Sequence, residues 1–240
     1  MTAPTQALEA AAESAASLLR SVEQMRPEQV SEASALPGWT RGHVLTHISR
    51  NADALANLLR GARTSQPIPM YPSPEARDRG IQDGAKRPLA EQLADLRASG
   101  LRFTAATEAM PDAAWSAEVP HRSGPFPASG VPLKRISEVE YHHVDLGLDY
   151  TPAHWPAEFV ARELGSLTAR YRDAAGLAAL RLEDTDTGAV YELGSDAGSA
   201  RPPLELAAPA AALVAWLSGR SDGAALGVPV EALPVLPPMS

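Results

Sequence analysis

Residues 41–63 read RGHVLTHISRNADALANLLRGAR, and this stretch decides the class of the fold. Its apolar residues recur every three or four positions, which predicts an amphipathic helix that packs against other helices. The apolar stripe consists of Val44, Leu45, Ile48, Ala52, Leu55 and Leu59. LPGW at 36–39 provides a turn and Thr40 an N-cap, so we expect the helix to start there and to end near Arg63.

Three further segments show the same helical period. The predicted helices cover residues 5–26, 89–110 and 132–147. Segments rich in proline and glycine separate them, so 64–77, with its four prolines, and 111–132 are expected to be loops. Loops of this length inside a domain are often functional. Four helices with long connections predict a four-helix bundle for residues 1–150.

The remaining chain, residues 151–240, has a different character. After a helix expected at 155–174, LAALRLED and AVYELGS flank TDTG, which is the pattern of a β-hairpin. PLELAA is the candidate for a third strand, and Ala208 to Ser218 for a short apolar helix. The expected fold is therefore mainly α, with a small α+β domain at its C-terminal end.

The net charge of −8 argues against nucleic-acid binding, and the apolar pattern argues against a membrane span. A chain this acidic lacks the basic face that binding to nucleic acid requires. No segment approaches 18 uninterrupted apolar residues, and MTAPTQALEAAAESAASLLR lacks the basic start of a signal peptide. We therefore expect a soluble cytoplasmic protein with no membrane or nucleic-acid partner.

The chain contains no cysteine, and this limits its chemistry. No disulfide can form, and any metal ion must be held by His, Asp or Glu. No protein thiol can act as a nucleophile. A reaction that uses a thiol must therefore take that thiol from a small molecule.

Four of the six histidines stand in two clusters, His43 with His47 and His142 with His143. Glu138 lies four residues before His142, so these two side chains share one face of a helix. His47 borders the apolar stripe of its helix. One histidine of the first cluster and a Glu–His pair of the second would give three ligands with a fourth position open, as in catalytic zinc sites.

A rival pair and a simpler explanation remain open at this point. Glu140 and His143 are three residues apart and form a second pair on a different face of the same helix. Helical geometry alone does not choose between this pair and the pair of Glu138 and His142. A surface hydrogen bond or ion pair would also explain either spacing.

Several stretches together resemble the mycothiol-dependent maleylpyruvate isomerase family. They are LPGWTRGHVLTHISRNADALANLL, PMYPSPEARDRGI, ISEVEYHHVDLGL and, in the second half, LSGRSDG. The first is shared widely among DinB-like thiol transferases, whereas the PMYPSPEAR segment is more specific to the isomerases. The resemblance covers nearly the whole chain. It implies a DinB-like four-helix bundle followed by a small α+β domain similar to sterol carrier proteins.

The resemblance also implies the site. By position, the zinc ligands of the family fall on His47, Glu138 and His142, and its substrate-binding, catalytic arginine falls on Arg220. Asp145 stands three residues after His142, where a carboxylate can orient an imidazole, with a hydrogen bond on the helix surface or at the helix C-terminus as the alternative.

Other residues are weaker candidates. Arg77 and Arg79, in the PMYPSPEARDRG stretch, are candidates for anion binding. Trp39 and Tyr71 are candidates for the lining of a cleft, with core packing as the alternative for both. Packing or surface pairing is the expectation for Glu140 and His143.

The reaction that the resemblance implies is the isomerisation of 3-maleylpyruvate to 3-fumarylpyruvate in aromatic catabolism of the gentisate type. The cofactors would be zinc, or another divalent metal, and mycothiol. A zinc-activated thiolate adds to the cis double bond, the bond rotates, and the thiol is expelled. The partners would be mycothiol and a dicarboxylate substrate, while a monomer is compatible with the sequence.

Three alternatives follow from the same residues. Another mycothiol-dependent S-transferase would keep the metal ligands but act on a different electrophile. A metal-dependent hydrolase would use water in place of the thiol. A non-catalytic helix bundle would only bind the metal or another protein.

Overall fold

The structure, a computed structural model, describes residues 3–121, 124–194 and 202–237. The chain forms two compact units, Met1–Asp149 and Tyr150–Ser240. The first is mainly helical and the second combines helices with a sheet, which confirms the predicted fold class. None of the helices in these ranges is both long enough and apolar enough to cross a membrane.

The first unit is built around its second helix. Its helices are α1 (Thr5–Glu23), α2 (Arg41–Thr64), α3 (Pro74–Gly84), α4 (Leu89–Glu108) and α5 (Val131–Asp145). α2 packs against α4 and α5, and α1 packs against the same two helices, so these four form the predicted bundle. Between α4 and α5, the short strands β1 (Glu118–Val119) and β2 (Phe126–Pro127) pair in antiparallel fashion.

The apolar stripe of α2 forms the centre of the bundle core. All six residues predicted for it are at most 2% exposed: Val44, Leu45, Ile48, Ala52, Leu55 and Leu59. Burial of one leucine or isoleucine side chain contributes about 1.5–3 kcal/mol. Thr40 caps the helix as expected, since its hydroxyl accepts a hydrogen bond from the backbone amide of His43. The stripe and the cap therefore fix where α2 begins and which face it buries.

The loop expected at 64–77 is wrong from residue 74 onward, because α3 begins there. The side chain of Ser73 accepts a hydrogen bond of 3.1 Å from the amide of Ala76. Pro74 occupies the first helical turn. Backbone N–H groups in this turn have no acceptor within the helix, so the N–H group that proline lacks is not needed there. A proline that indicated a loop therefore begins a helix, because a capping serine precedes it.

α3 lies against α2 at a point of close backbone approach. A Cβ atom at position 42 would lie 2.1 Å from the carbonyl oxygen of Ala85, so only glycine fits there. The buried side chain of Gln92 donates to the carbonyl oxygens of Gly42 and Gly84, at 3.3 Å and 2.9 Å. These contacts hold α3 beside the N-terminal half of α2.

The second unit contains a three-stranded sheet and two helices. Its elements are α6 (Ala157–Tyr171), β3 (Leu180–Asp184), β4 (Val190–Leu193), β5 (Leu204–Ala208) and α7 (Ala210–Leu217). The strand order is β4-β3-β5, with β3 antiparallel to β4 and parallel to β5. The TDTG hairpin and the third strand are therefore confirmed. In the turn, the Asp184 carboxylate accepts from the amide of Asp186 and the hydroxyl of Thr187.

Candidate metal centre

α2 and α5 bring three potential metal ligands together. His47 comes from α2, and Glu138 and His142 lie one turn apart on α5. Nε2 of His47 is 3.0 Å from Oε2 of Glu138, and Nε2 of His142 is 3.6 Å from the same oxygen. One donor atom from each side chain lies within 4.8 Å of the other two. Among the described residues, no other group of His, Asp and Glu side chains is gathered in this way.

The rival pair on α5 faces α1 instead. Glu140 and His143 are both 1% exposed. The hydroxyl of Ser14 donates to Glu140 at 2.5 Å, and Nε2 of His143 is 2.8 Å from the hydroxyl oxygen of Ser21. These two side chains therefore bridge α5 to α1 inside the bundle, which is the packing role expected for Glu140.

A buried carboxylate orients the ring of His142. Nδ1 of His142 is 2.8 Å from Oδ2 of Asp145, which is only 2% exposed. Because a carboxylate can only accept, Nδ1 carries the proton and donates it to this bond. In the neutral ring, the lone pair is then on Nε2, the nitrogen nearer to Glu138. This is the tautomer that a metal ligand requires.

The surroundings shift the pKa of all three side chains. Burial would raise the pKa of Glu138, but hydrogen bonds from His142 and His47 hold it well below its ordinary value. Burial lowers the pKa of His47, although its hydrogen bond to Glu138 opposes this. Burial also opposes protonation of His142, but hydrogen bonds to Asp145 and Glu138 raise its pKa. Glu138 is therefore ionised and His47 is neutral near pH 7, as ligands must be.

The three candidate ligands line a cavity of about 810 Å³. Its other described walls include Asn51 of α2, Met70 and Tyr71 of the segment before α3, and Arg77 of α3. Burial, together with the nearby charge of Glu138, raises the pKa of Tyr71 to about 12. The cavity therefore combines a wall of candidate metal ligands with a neutral hydroxyl and a guanidinium.

The structure distinguishes Arg77, which lines the cavity, from Arg79, which does not. The guanidinium carbon of Arg77 lies 5.9 Å from the centre of the Tyr71 ring, and Nη2 of Arg77 lies 3.5 Å from Nδ1 of His47. Arg79 is exposed to solvent on the same helix. Trp39 packs edge-on against the ring of His47, with 5.7 Å between ring centres, so it contacts a candidate ligand.

Arg220 lies in the second unit, on the turn that follows α7. Gly219 has a φ of 73°, and the amide of Arg220 donates to the carbonyl oxygen of Ala215 at 2.7 Å, which ends the helix. Nη1 of Arg220 donates to the carbonyl oxygen of Ser218 at 2.8 Å. The turn predicted around Arg220 is confirmed, and its substrate role stays a prediction.

One residue that lines the cavity was absent from the sequence prediction. His121 lies after β1 and packs edge-on against Phe126, with 5.7 Å between ring centres. Glu118 stands three residues before it, but Pro120 lies between them and the segment was expected to be a loop, so helical spacing did not mark His121. The only signal in the sequence was its place in a proline-rich segment long enough to be functional.

Comparison with known proteins agrees with this architecture. The family model described as the mycothiol maleylpyruvate isomerase N-terminal domain matches residues 11–147. The model described as the MDMPI C-terminal domain matches residues 154–235. No curated protein sequence matches the chain.

Two solved structures are similar over almost the whole chain. A crystal structure of a mycothiol-dependent maleylpyruvate isomerase is 28% identical, with a TM-score of 0.83 over 92% of this chain and 93% of that one. A histidine-to-alanine mutant of a protein of the same name is also 28% identical, with a TM-score of 0.84 over 95% and 98% of the two chains. With both halves matched in order, the chain belongs to the mycothiol maleylpyruvate isomerase family.

Proposed function

We propose that the protein catalyses the mycothiol-dependent isomerisation of 3-maleylpyruvate to 3-fumarylpyruvate. The observation that carries this proposal is the cluster of His47, Glu138 and His142 in the wall of a cavity, in a chain that belongs to this family and has no cysteine. A chain without a thiol of its own needs a thiol cofactor for this reaction. The family's name and the two similar structures supply mycothiol as that cofactor.

The residues of the cluster fit a zinc ion. Two imidazole nitrogens and one carboxylate oxygen are donors that zinc accepts, and three protein ligands leave the fourth position open. Asp145 holds His142 in the tautomer that a metal ligand needs. Together, bound zinc and mycothiol would supply a thiolate that adds reversibly to the substrate double bond, which then becomes single and can rotate.

The residues of the chain would bind the metal and orient the substrate. His47, Glu138 and His142 would hold the metal, and the cavity beside them would hold the reacting carbons. The hydroxyl of Tyr71 would donate a hydrogen bond to the substrate, since its pKa of about 12 keeps it protonated. Arg220, on its turn in the second unit, would pair with a carboxylate through two parallel hydrogen bonds.

We also propose that the enzyme works in the cytoplasm, in the breakdown of aromatic compounds by the gentisate type of route. The thiol that the reaction requires stays reduced in the cytoplasm, which supports this location. The substrate itself, an open-chain product of ring cleavage, supports the route.

A turnover assay with maleylpyruvate tests the proposal. Zinc-loaded protein should convert maleylpyruvate to fumarylpyruvate when mycothiol is present and should do nothing without a thiol. His47→Ala should abolish the activity together with the zinc content. Arg79→Ala, an exposed change outside the cavity, is the matched control and should keep both.

Two results would reject the isomerase function. Zinc-loaded protein that leaves maleylpyruvate unchanged but transfers mycothiol irreversibly to another electrophile would be an S-transferase. Zinc-loaded protein that hydrolyses a substrate without a thiol would be a hydrolase. The thiol balance separates the first case from isomerisation, because an isomerase returns its mycothiol unchanged.

A further inference from the structure

We propose that the guanidinium of Arg77 and the hydroxyl of Tyr71 form an anion-binding pair that receives one carboxylate of a dicarboxylate substrate beside the metal centre. The proposal rests on the proposed function, which it deepens by placing the substrate in the first unit. It gives a substrate-binding role to Arg77 of α3 and to Tyr71 in the proline-rich segment before α3.

The two side chains are close to each other and to the candidate ligands. Both line the 810 Å³ cavity together with His47, Glu138 and His142. The guanidinium carbon of Arg77 lies 5.9 Å from the centre of the Tyr71 ring, so the ring and the cation are neighbours. The amide of Asn57 donates to the carbonyl oxygen of Met70 at 3.3 Å, which ties the segment before Tyr71 to α2. The pair is therefore built into the wall of the cavity.

Arg77 also makes a hydrogen bond to the hydroxyl of Tyr71, the other member of the pair, and its two remaining partners leave it available to a ligand. Nη1 donates to the carboxylate of Asp78 at 2.8 Å, but that side chain is 68% exposed, so solvent screens the ion pair. Nη2 lies 3.5 Å from Nδ1 of His47, at the long limit of a hydrogen bond. Neither contact holds the guanidinium strongly.

Metal binding would remove the second of these contacts. If Nε2 of His47 becomes a ligand, the neutral ring must carry its proton on Nδ1. Nδ1 then becomes a donor and can no longer accept a hydrogen bond from Arg77. Nη2 of Arg77 needs a new acceptor, and a carboxylate in the cavity would provide two oxygens for it.

Tyr71 supplies the second donor. Burial and the charge of Glu138 raise its pKa to about 12, so the hydroxyl keeps its proton near neutral pH. A neutral hydroxyl beside a guanidinium donates to a carboxylate without adding charge. Together the two side chains present N–H and O–H donors to one anion.

The charges around the centre favour an anionic substrate. Glu138 and Asp145 are acidic, while Arg77 and the buried Arg135 are basic, so these four cancel. Burial lowers the pKa of Arg135 only to about 10, which leaves it charged near pH 7. A divalent metal ion would add two positive charges to this balanced set, and the thiolate of the cofactor would remove one. The positive charge that remains favours a carboxylate in the cavity.

Binding of maleate, a small cis-dicarboxylate, tests the pair without any turnover. Titration calorimetry on full-length, zinc-loaded and thiol-free protein measures its dissociation constant. Arg77→Met should weaken maleate binding about tenfold to a hundredfold, since it removes a charged hydrogen bond. Tyr71→Phe should weaken it roughly threefold to tenfold. Arg79→Met removes the same charge from the same helix outside the cavity and should leave the affinity unchanged.

Arg77 could affect maleate binding either directly or by holding His47 in place for the metal. The zinc content of each variant distinguishes these two roles. Arg77→Met should keep one equivalent of zinc, and Arg77→Lys should recover only part of the maleate affinity, because lysine lacks the planar fork. Wild-type affinity in Arg77→Met, loss of its zinc, or no binding of maleate to the wild type would each overturn the pair. Isomerase turnover with unchanged maleate affinity in Arg77→Met would reject the pair alone. Arg77-dependent maleate binding without turnover would reject the proposed function alone.

Discussion

The carboxylate of Asp145 accepts a hydrogen bond of 2.8 Å from Nδ1 of His142, three residues earlier on α5. Asp145 is 2% exposed, so this bond is shielded from water. It sets the tautomer of His142 and leaves Nε2 directed towards Glu138. Asp145 therefore orients a candidate metal ligand by binding Nδ1 of the ring, and Nε2 stays available to the metal.

Asp145→Asn should weaken zinc binding about tenfold to a hundredfold, the usual cost of losing the partner of a metal-binding histidine. An asparagine amide accepts this bond less strongly and can also turn its NH₂ group towards the ring. Competition with a chelator of known affinity measures the change. Asp149→Asn, an exposed change just beyond the same helix, is the control. Equal zinc affinities in the two variants would contradict this role for Asp145.

The choice of His142 over His143 gives a second prediction. His47→Ala and His142→Ala should lose zinc, whereas His143→Ala should retain about one zinc per chain. His143→Ala should lower thermal stability, because it leaves a cavity at a buried position of α5 and removes the bond to the partly buried hydroxyl of Ser21 across the bundle. Metal analysis and a melting curve on the same samples separate the two effects. Zinc retained in His142→Ala and lost in His143→Ala would mean that the other face of α5 holds the metal.

The stability of metal-free protein should depend on the protonation of His142. Burial opposes its charge, but hydrogen bonds to Asp145 and Glu138 raise its pKa above the ordinary 6.5. A histidine whose pKa is higher in the folded protein than in the unfolded chain stabilises the fold by its protonation. This contribution is complete when the pH is below the pKa of the unfolded chain, and it is lost as the pH rises through the pKa of the folded protein. His142→Gln should therefore lose more stability at about pH 6 than at about pH 8. Urea unfolding at both pH values measures this, and an equal loss at both would contradict it.

Arg220→Ala should keep zinc and the fold but lower the rate roughly 10²–10³-fold, since it removes an ionic contact to the substrate. Arg220→Lys should restore only part of the rate, because a lysine cannot form two parallel hydrogen bonds. Steady-state kinetics with mycothiol measure both. Arg181→Ala, a partly exposed arginine of the same unit, is the matched control. Near-normal kinetics in Arg220→Ala would make Arg220 a structural residue of its turn.

Turnover should depend wholly on an added thiol, because the chain has no cysteine. Small thiols should give weak activity, and mycothiol should do far better, since contacts to its sugar portion hold the sulfur in place. Rates on zinc-loaded, thiol-free enzyme measure this dependence. Isomerisation at full rate without any thiol would exclude addition and elimination of a thiolate.

Local spacing in the sequence was enough to predict the four helices of the bundle and to place two of the three candidate ligands on one helix face. The period of apolar residues placed α2, and the four-residue spacing put Glu138 and His142 on one face of α5. The helical period is a property of the backbone, so these predictions needed no knowledge of the neighbours. The same local reasoning missed α3, because Pro74 indicates a loop unless Ser73 is recognised as its cap.

The remaining features depended on which helix faces meet. Glu138 with His142 and Glu140 with His143 are equivalent as local patterns on α5. Only packing turns the first pair towards α2 and His47 and buries the second pair against α1. The close approach of α2 and α3 likewise places Arg77 beside His47, 30 residues away in sequence. Such long-range neighbours follow from burying apolar faces in one consistent arrangement, and this arrangement is a property of the whole bundle rather than of any one segment.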